Sequence, residues 1–472
     1  MQAMNGFGRF GIWRGYRRVG WLIALVALSA MMAAPSMASA KEKKGKPIRE
    51  TYLALGDSLA FGYSQQLFNE NEKTGENPAA FEHGYTNDYF NKINTNGKLQ
   101  LVNDGCPGET SESAIGSNPA LLSALNEKLA GKIPTPVTGE APCAYHTVDG
   151  LPLHHEYGGS KSQLESAIET IAQEQAAGKR VKVVTLNMGA NDELHVLSKV
   201  EKEATAKIEA KVAQIAKTQV VFHVLKIAEE EVKTFVVEQV TPQAFSETGG
   251  KEPEFVERIG TLAAAYAASH AKELAELTNK DAGEYGAAHA KELEELGLTI
   301  GTEYATTHAA ELKAEGEAIA KELFDKDVPA LFAQIITNIT GIVTGLRDGS
   351  SFGGVNYRGK IVFQGGYDPF GNVFGTGELN KGSNELAEQL NLAVRATVTK
   401  AIKLKGQKLK PLCYVNPHPS WNPGGSEEPV RLSKWTNMAN FTEAAGKKNG
   451  PDIHPTPEGY EQLANEMDAA CG

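Results

Sequence analysis

Cysteine, basic charge and long apolar runs are all scarce in this chain of 472 residues. The four cysteines, Cys106, Cys143, Cys413 and Cys471, give no support for a metal site such as Cys-x-x-Cys. Lysine and arginine number 47 against 58 aspartates and glutamates. An acidic protein is a poor partner for nucleic acid, so no nucleic-acid role is expected. Apart from Trp21–Ala34, no segment approaches the roughly 20 apolar residues of a membrane span.

That one run has a context. Arg9, Arg14, Arg17 and Arg18 precede it, and Ala38-Ser39-Ala40 follows with the small residues of a cleavage site. Residues 1–40 read as a secretory signal peptide cleaved near Ala40, with an uncleaved anchor as the alternative. Arg17-Arg18 hints at twin-arginine export, although Val19-Gly20 fits that signal poorly. Four of the 47 basic residues lie in this leader, leaving 43 against 58 acids and a net charge of −15. The basic patch Lys41–Lys46 reads as a solvated linker. The mature chain is expected to be secreted, extracellular or in the cell envelope, with no stable membrane span. An even number of cysteines in an exported chain points to disulfides. Three pairings are open; Cys106–Cys143 and Cys413–Cys471 are favoured because each closes the shorter loop within its own half.

Five short apolar runs are expected as strands: Tyr52–Leu55, Leu99–Asn103, Val181–Asn187, Gly359–Gly365 and Pro411–Asn416. Helical patterns separate them, at Leu59–Phe68, Gln163–Ala177, Ala330–Arg347, Glu385–Leu404 (stopped by Gly406) and Tyr460–Ala470. Residues 69–98, 117–160 and 417–450 read as loop-rich. Strands alternating with helices predict a parallel α/β sheet covered on both faces. Ligands bind such sheets at the carboxyl ends of the strands.

From about 193 to 327 the composition shifts to Ala, Glu and Lys. Tyr266, Tyr285 and Tyr304 are 19 residues apart, as are His270, His289 and His308, and Leu274, Leu293 and Leu312. Metal binding by the three histidines is weighed against an expanded amphipathic helix. On a straight helix, 19 residues leave successive units about 100° out of phase, so the histidines are not expected to share a face, and several glycines interrupt the units. His154-His155-Glu156 likewise lacks a completing ligand and reads as surface polar residues. No metal and no cofactor is expected.

The chemistry collects after the strands. Gly56-Asp57-Ser58 ends the first one abruptly and opens a helix, where free N–H groups favour negative charge; the bland reading is a turn or N-cap. Cys106-Pro107-Gly108-Glu109-Thr110 is a tight loop after the second, or simply a surface turn pinned by Cys106. Gly189-Ala190-Asn191-Asp192 follows the third. Asp452-Ile453-His454 precedes the last helix. A serine hydroxyl needs a base, which His454 supplies; the histidine needs an orienting group, which Asp452 supplies. The Ser58 and Gly108 N–H groups and the Asn191 amide are candidate oxyanion donors.

These four ordered blocks resemble the SGNH, or GDSL, hydrolases, especially secreted bacterial esterases and lipases. The match spans residues 52–192 and 328–472. The resemblance implies a three-layer α/β/α, flavodoxin-like SGNH hydrolase fold with a parallel five-stranded sheet and a large helical insertion. It implies cofactor-free ester hydrolysis through an acyl-enzyme on Ser58, with His454 and Asp452 catalytic and Ser58, Gly108 and Asn191 forming the oxyanion hole. The domains expected are 1–40 signal peptide, 41–192 first core part, 193–327 helical insertion with 19-residue repeats, and 328–472 second core part. The family's aspartate usually stands three residues before the histidine; here Pro451 does, and Asp452 stands two before, so a backbone carbonyl is the alternative orienting group. The substrate is expected to be a small-molecule or lipid ester. Removal of acetyl groups from carbohydrate, or a non-catalytic secreted binding protein on the same scaffold, are the rival readings. The role of the insertion and the oligomeric state are left open.

Overall fold

Alternation of buried side chains in five parallel strands sets the architecture. The computed structural model describes residues 50–71, 77–129, 143, 146, 151–157, 161–348, 355–370, 378–399, 412–424, 427–440 and 452–472. The signal-peptide reading of 1–40, the linker reading of 41–46, the helix stop at Gly406 and Pro451 lie outside these residues. The chain runs β1 (Glu50–Gly56), α1 (Ser58–Phe61), α2 (Gln65–Asn71), α3 (Tyr85–Ile93), β2 (Leu99–Asn103), α4 (Ser111–Ile115), α5 (Pro119–Lys128), α6 (Gln163–Ala176), β3 (Arg180–Asn187), α7 (Ala190–Thr248), α8 (Glu254–Ser269), α9 (Ala271–Ala288), α10 (Ala290–Thr307), α11 (Ala309–Arg347), β4 (Lys360–Gln364), α12 (Glu378–Thr399), β5 (Leu412–Val415), α13 (His418–Trp421), α14 (Glu427–Trp435) and α15 (Pro457–Cys471). It divides into two compact units, residues through 198 with 326–472, and residues 199–325.

In the first unit the sheet is parallel throughout, in the order β2-β1-β3-β4-β5. The order reverses between β1 and β3, which is where a doubly wound sheet opens its crevice. Successive side chains of a strand face opposite ways. Leu53, Leu55, Val184, Leu186, Ile361 and Phe363 therefore join one core, with residues of α5, α6, α11 and α12. Tyr52, Ala54, Val183 and Val362 join the other, with Tyr85 and Tyr89 of α3, Leu432 of α14 and Tyr460, Leu463 and Met467 of α15. Buried residues on both faces explain why these strands read as continuous apolar runs. Truncating a fully buried α11 residue such as Ile339 to Ala costs about 2–5 kcal/mol by cavity formation. The two disulfides are Cys106–Cys143 and Cys413–Cys471, a pattern compatible with an extracellular protein.

Several local expectations change. The helix expected over Leu59–Phe68 is two helices, because Gly62 takes a left-handed φ of 86° and its N–H closes α1 on the Ser58 carbonyl. The stretches read as loop-rich contain α3, α5 and α14. In α5 the signal was present: the Asn118 side chain caps the helix and Pro119 follows at its first position. Helix α11 continues through Pro329 and is, by length and composition, long and apolar enough to cross a membrane. Just over half of its apolar window, 56%, is buried in the protein, where Leu331, Ile335, Ile339, Ile342, Val343 and Leu346 pack on the sheet.

The second unit is an antiparallel packing of long helices. In α7, every fourth residue from Val200 to Ala244 is Val, Ala or Ile, and all of them are buried or half-buried. This stripe meets the returning helices at Gly297 near Val220, Gly301 near Val212 and Ala216, and Gly316 near Ile208. The out-of-phase expectation for the repeat does not hold. Tyr, His and Leu are half-buried or buried at the same position of all three units. Helices α9 and α10 are 18 residues each, which at about 100° per residue closes five turns. The nineteenth residue is the histidine, which leaves the helical region with φ between −116° and −107° and ψ of 22–23°. The histidines, not the glycines, interrupt the units, and the interruption keeps the face in register. Each imidazole stacks on the tyrosine four residues before it, at 4.0–4.1 Å between centroids, with Nδ1 bonded to that tyrosine's carbonyl.

Candidate active site

The site begins where β1 runs out. Gly56 has φ 149°, and a Cβ there would lie 1.9 Å from the Asn187 side-chain oxygen, so only glycine fits this turn. Asp57 caps α1: its Oδ1 accepts from the Leu59 N–H at 2.9 Å and from Asn187 Nδ2 at 2.7 Å. Tyr85 donates to Asn187 Oδ1 at 2.9 Å. Burial pushes the Asp57 carboxyl up to about 6, against the lowering effect of these donors. Ser58 is then the first residue of a four-residue helix, 8% exposed.

The remaining residues arrive from distant parts of the chain. His454 Nε2 lies 2.9 Å from Ser58 Oγ, and His454 Nδ1 lies 2.5 Å from Asp452 Oδ1. The segment carrying them is pinned. His454's carbonyl accepts from the Asn437 N–H, the Tyr367 hydroxyl donates to the Ile453 carbonyl, and Thr436 bridges Pro455. Asp452 Oδ2 accepts from the Gln65 N–H at 2.9 Å, while Oδ1 also accepts from the His454 N–H at 3.1 Å. Burial alone would raise the Asp452 carboxyl, yet His454 and these N–H groups hold it below its usual range. The Tyr63 ring packs edge-on to the imidazole at 4.8 Å. An aspartate two residues before the histidine therefore works geometrically, because one carboxylate oxygen meets both the backbone N–H and the ring of His454.

The loop after β2 lies against the Gly56–Ser58 turn. Cys106 donates its N–H to the Gly56 carbonyl at 3.0 Å, and Asp104 donates to Ala54 at 2.8 Å. Gly108 takes a left-handed φ of 79°. Asn191, at the start of α7, donates one of its two amide hydrogens to the Glu109 carbonyl at 3.0 Å. Asp192 holds the same loop by accepting from the N–H and hydroxyl of Ser111. Ser58, Gly108 and Asn191 thus follow the three adjacent strands β1, β2 and β3, with Ser58 and Asn191 on either side of the switch point.

His154 and His155 depart from the surface reading. His154 packs on Phe61 and its Nε2 bonds the Phe61 carbonyl at 2.8 Å. His155 Nδ1 meets the buried Asp104 at 2.5 Å, and that hydrogen bond raises the imidazole's pKa. Both fasten the 151–157 segment to the loop and helix around Ser58. Sequence reasoning missed Tyr63, Gln65, Asn187 and Asn437. Only Asn187, closing a strand beside a Gly-x-Asn block, carried a local signal; the others act through the chain's tertiary course.

What the arrangement defines is a Ser–His–Asp hydrogen-bonded series at the carboxyl edge of a parallel sheet. No protein-family model, curated protein or solved structure matches the chain.

Proposed function

We propose that this protein is a secreted serine ester hydrolase of the SGNH type, an esterase or lipase working without a cofactor. The observation that carries the reading is the Ser58–His454–Asp452 series, with bonds of 2.9 and 2.5 Å between groups 396 and two residues apart. His454 Nε2 takes the Ser58 proton as Oγ attacks the ester carbonyl carbon. Asp452 keeps the imidazole's Nδ1–H side toward itself and stabilises the imidazolium that forms. The oxyanion is received by the Ser58 and Gly108 N–H groups and the free Asn191 amide hydrogen, each such donor being worth about 2.7–4 kcal/mol. Collapse expels the alcohol, which takes the proton from His454. Water, deprotonated by the same imidazole, then releases the acid and regenerates Ser58. The flavodoxin-like strand order and the disulfides support the fold family and the exported setting of this reading.

The experiment is hydrolysis of chromogenic esters from acetyl to palmitoyl by the mature protein and Ser58→Ala, alongside fluorophosphonate labelling. Turnover and labelling that vanish in the variant support the reading, and the chain-length profile separates esterase from lipase. A folded protein with neither Ser58-dependent turnover nor labelling would sink it.

A further inference from the structure

One buried amide touches both halves of the site just described. Gln163 is the first residue of α6, directly after the Ser162 cap, and is 1% exposed. Its side chain makes a two-point pairing with the Gly56 peptide: Oε1 accepts from the Gly56 N–H at 2.9 Å, and Nε2 donates to the Gly56 carbonyl at 2.7 Å. The same Nε2 reaches Glu109 Oε2 at 3.3 Å. Gly56 stands two residues before the nucleophile; Glu109 follows Gly108 and offers the carbonyl that anchors Asn191.

The end of α6 that carries Gln163 is itself fixed. Ser162 and Glu165 form a reciprocal cap, Asn118 donates to Glu165 Oε1 at 2.6 Å, and Gly116 sits so close to Ser162 that a Cβ would fall 2.6 Å from it. The cap of α6 is made by Ser162 and Glu165 and does not draw on the Gln163 side chain. The pairing is made at the last residue of β1, which is still in register with Asn187 of β3 and whose positive φ ends the strand.

We infer that Gln163 is a positioning residue that holds the nucleophile turn and the oxyanion loop in register, so that attack by Ser58 and stabilisation of the oxyanion coincide. The inference rests on the hydrolase reading above. Misplacement of reacting groups by an ångström costs about 10²-fold in rate, so loss of the clamp acts on kcat. Substrate binding away from the reacting carbonyl is untouched, so KM changes little.

The test compares wild type, Gln163→Ala and Gln163→Glu, using the ester that wild type turns over best and fluorophosphonate labelling of Ser58, with thermal unfolding of each protein. Gln163→Ala is expected to lose about 10²-fold in kcat and to slow labelling in parallel, with KM nearly constant. A protonated glutamic acid can repeat both Gly56 bonds, its O–H donating and its C=O accepting; the carboxylate cannot donate. The titratable groups that face position 163 are Glu109 after Gly108 and Tyr157 of the 151–157 segment, with Asp57 and Asp104 acting on them in turn; a glutamic acid at 163 titrates as a pair with Glu109, and both are protonated only as pH falls. The Gln163→Glu to wild-type activity ratio is therefore expected to rise toward unity as pH falls and to drop as pH rises. Gln163→Ala that unfolds earlier but keeps its kcat per folded molecule overturns the inference, as does a Gln163→Glu ratio independent of pH. Where Gln163→Ala fails to fold, the pH dependence of Gln163→Glu decides. Active wild type with indifferent Gln163 variants defeats the clamp alone; wild type without Ser58-dependent turnover or labelling defeats the hydrolase reading and the clamp with it.

Discussion

In residues 199–325 each repeat histidine finds its ring partner four residues back; in the sheet unit, His454 finds Ser58 396 residues back. The helical unit is written in local periods, a four-residue stripe on α7 facing a 19-residue repeat. The sheet unit is written in long-range closures, and its Ser58–His454–Asp452 series exists only once the end of β1 and the segment before α15 have met. Local contacts form cheaply because little chain entropy is lost in closing them, whereas each distant closure must be repaid by core burial. Substitutions should therefore act unequally: the first unit should be brittle at a few residues, and the second should degrade gently at any one repeat.

The largest effect that would sharpen this contrast is in Asp452. Asp452→Asn is expected to lower kcat by about 10⁴-fold through the wrong imidazole tautomer, with secondary structure by circular dichroism unchanged. A loss under tenfold would mean that another group orients His454. Next come the disulfides. Removing either pair by serine substitution is expected to cost about 2–4 kcal/mol in denaturant unfolding. Only the Cys106–Cys143 pair, which holds the Gly108 loop, should also lower kcat; equal kcat losses from Cys413–Cys471 would break the assignment of that loop to the site.

The third test is pH. Burial pushes the Glu109 carboxyl up to about 8 from an ordinary 4.5. The folded protein then holds a proton that the unfolded chain has released between these values, so this group makes stability fall as pH rises through that window. Glu109→Gln is expected to remove that fall, leaving the variant more stable than wild type near pH 8 by on the order of a few kcal/mol. Urea midpoints from pH 5 to 8 read it, and identical slopes would contradict it. The smallest effect is in the helical unit. His289→Ala removes one half-exposed ring stack and should cost about 0.5–1.5 kcal/mol in that unit with kcat unchanged. Cooperative loss of the unit's whole helical signal would show that the stacks, rather than the Val and Ala stripe, carry its stability.

Much of the sheet unit was readable from residues alone, because strands buried on both faces are apolar runs and helices between them carry caps. Ser58, Gly108, Asn191 and His454 each stood beside a strand end or helix start, so local pattern marked them. Helices α3 and α14 are hidden because their polar faces outweigh one or two buried apolar residues, Tyr85 and Tyr89 in α3 and Leu432 in α14, whereas α5 carries its Asn118-Pro119 cap. The repeat's phase is not legible in the sequence, because the off-helix geometry at each histidine is invisible to a count of 100° steps. Tyr63, Gln65, Gln163 and Asn437 gave no signal, since nothing near them in sequence names the group they touch.

By itself, the sequence determined the alternation of strand and helix, an even set of four cysteines, and which serine, histidine, aspartate and asparagine stand beside strand ends and helix starts. These follow from periodicity and from side-chain chemistry, both local properties. The structure chose Cys106–Cys143 and Cys413–Cys471 among the three pairings. Tertiary structure alone decided that Asp452, two residues from His454, reaches the ring, that His155 meets a buried Asp104, and that Gln163 grips the peptide before the nucleophile. Each of those contacts joins residues whose separation is set by packing of the sheet and its helices, and no local rule of the chain encodes that distance.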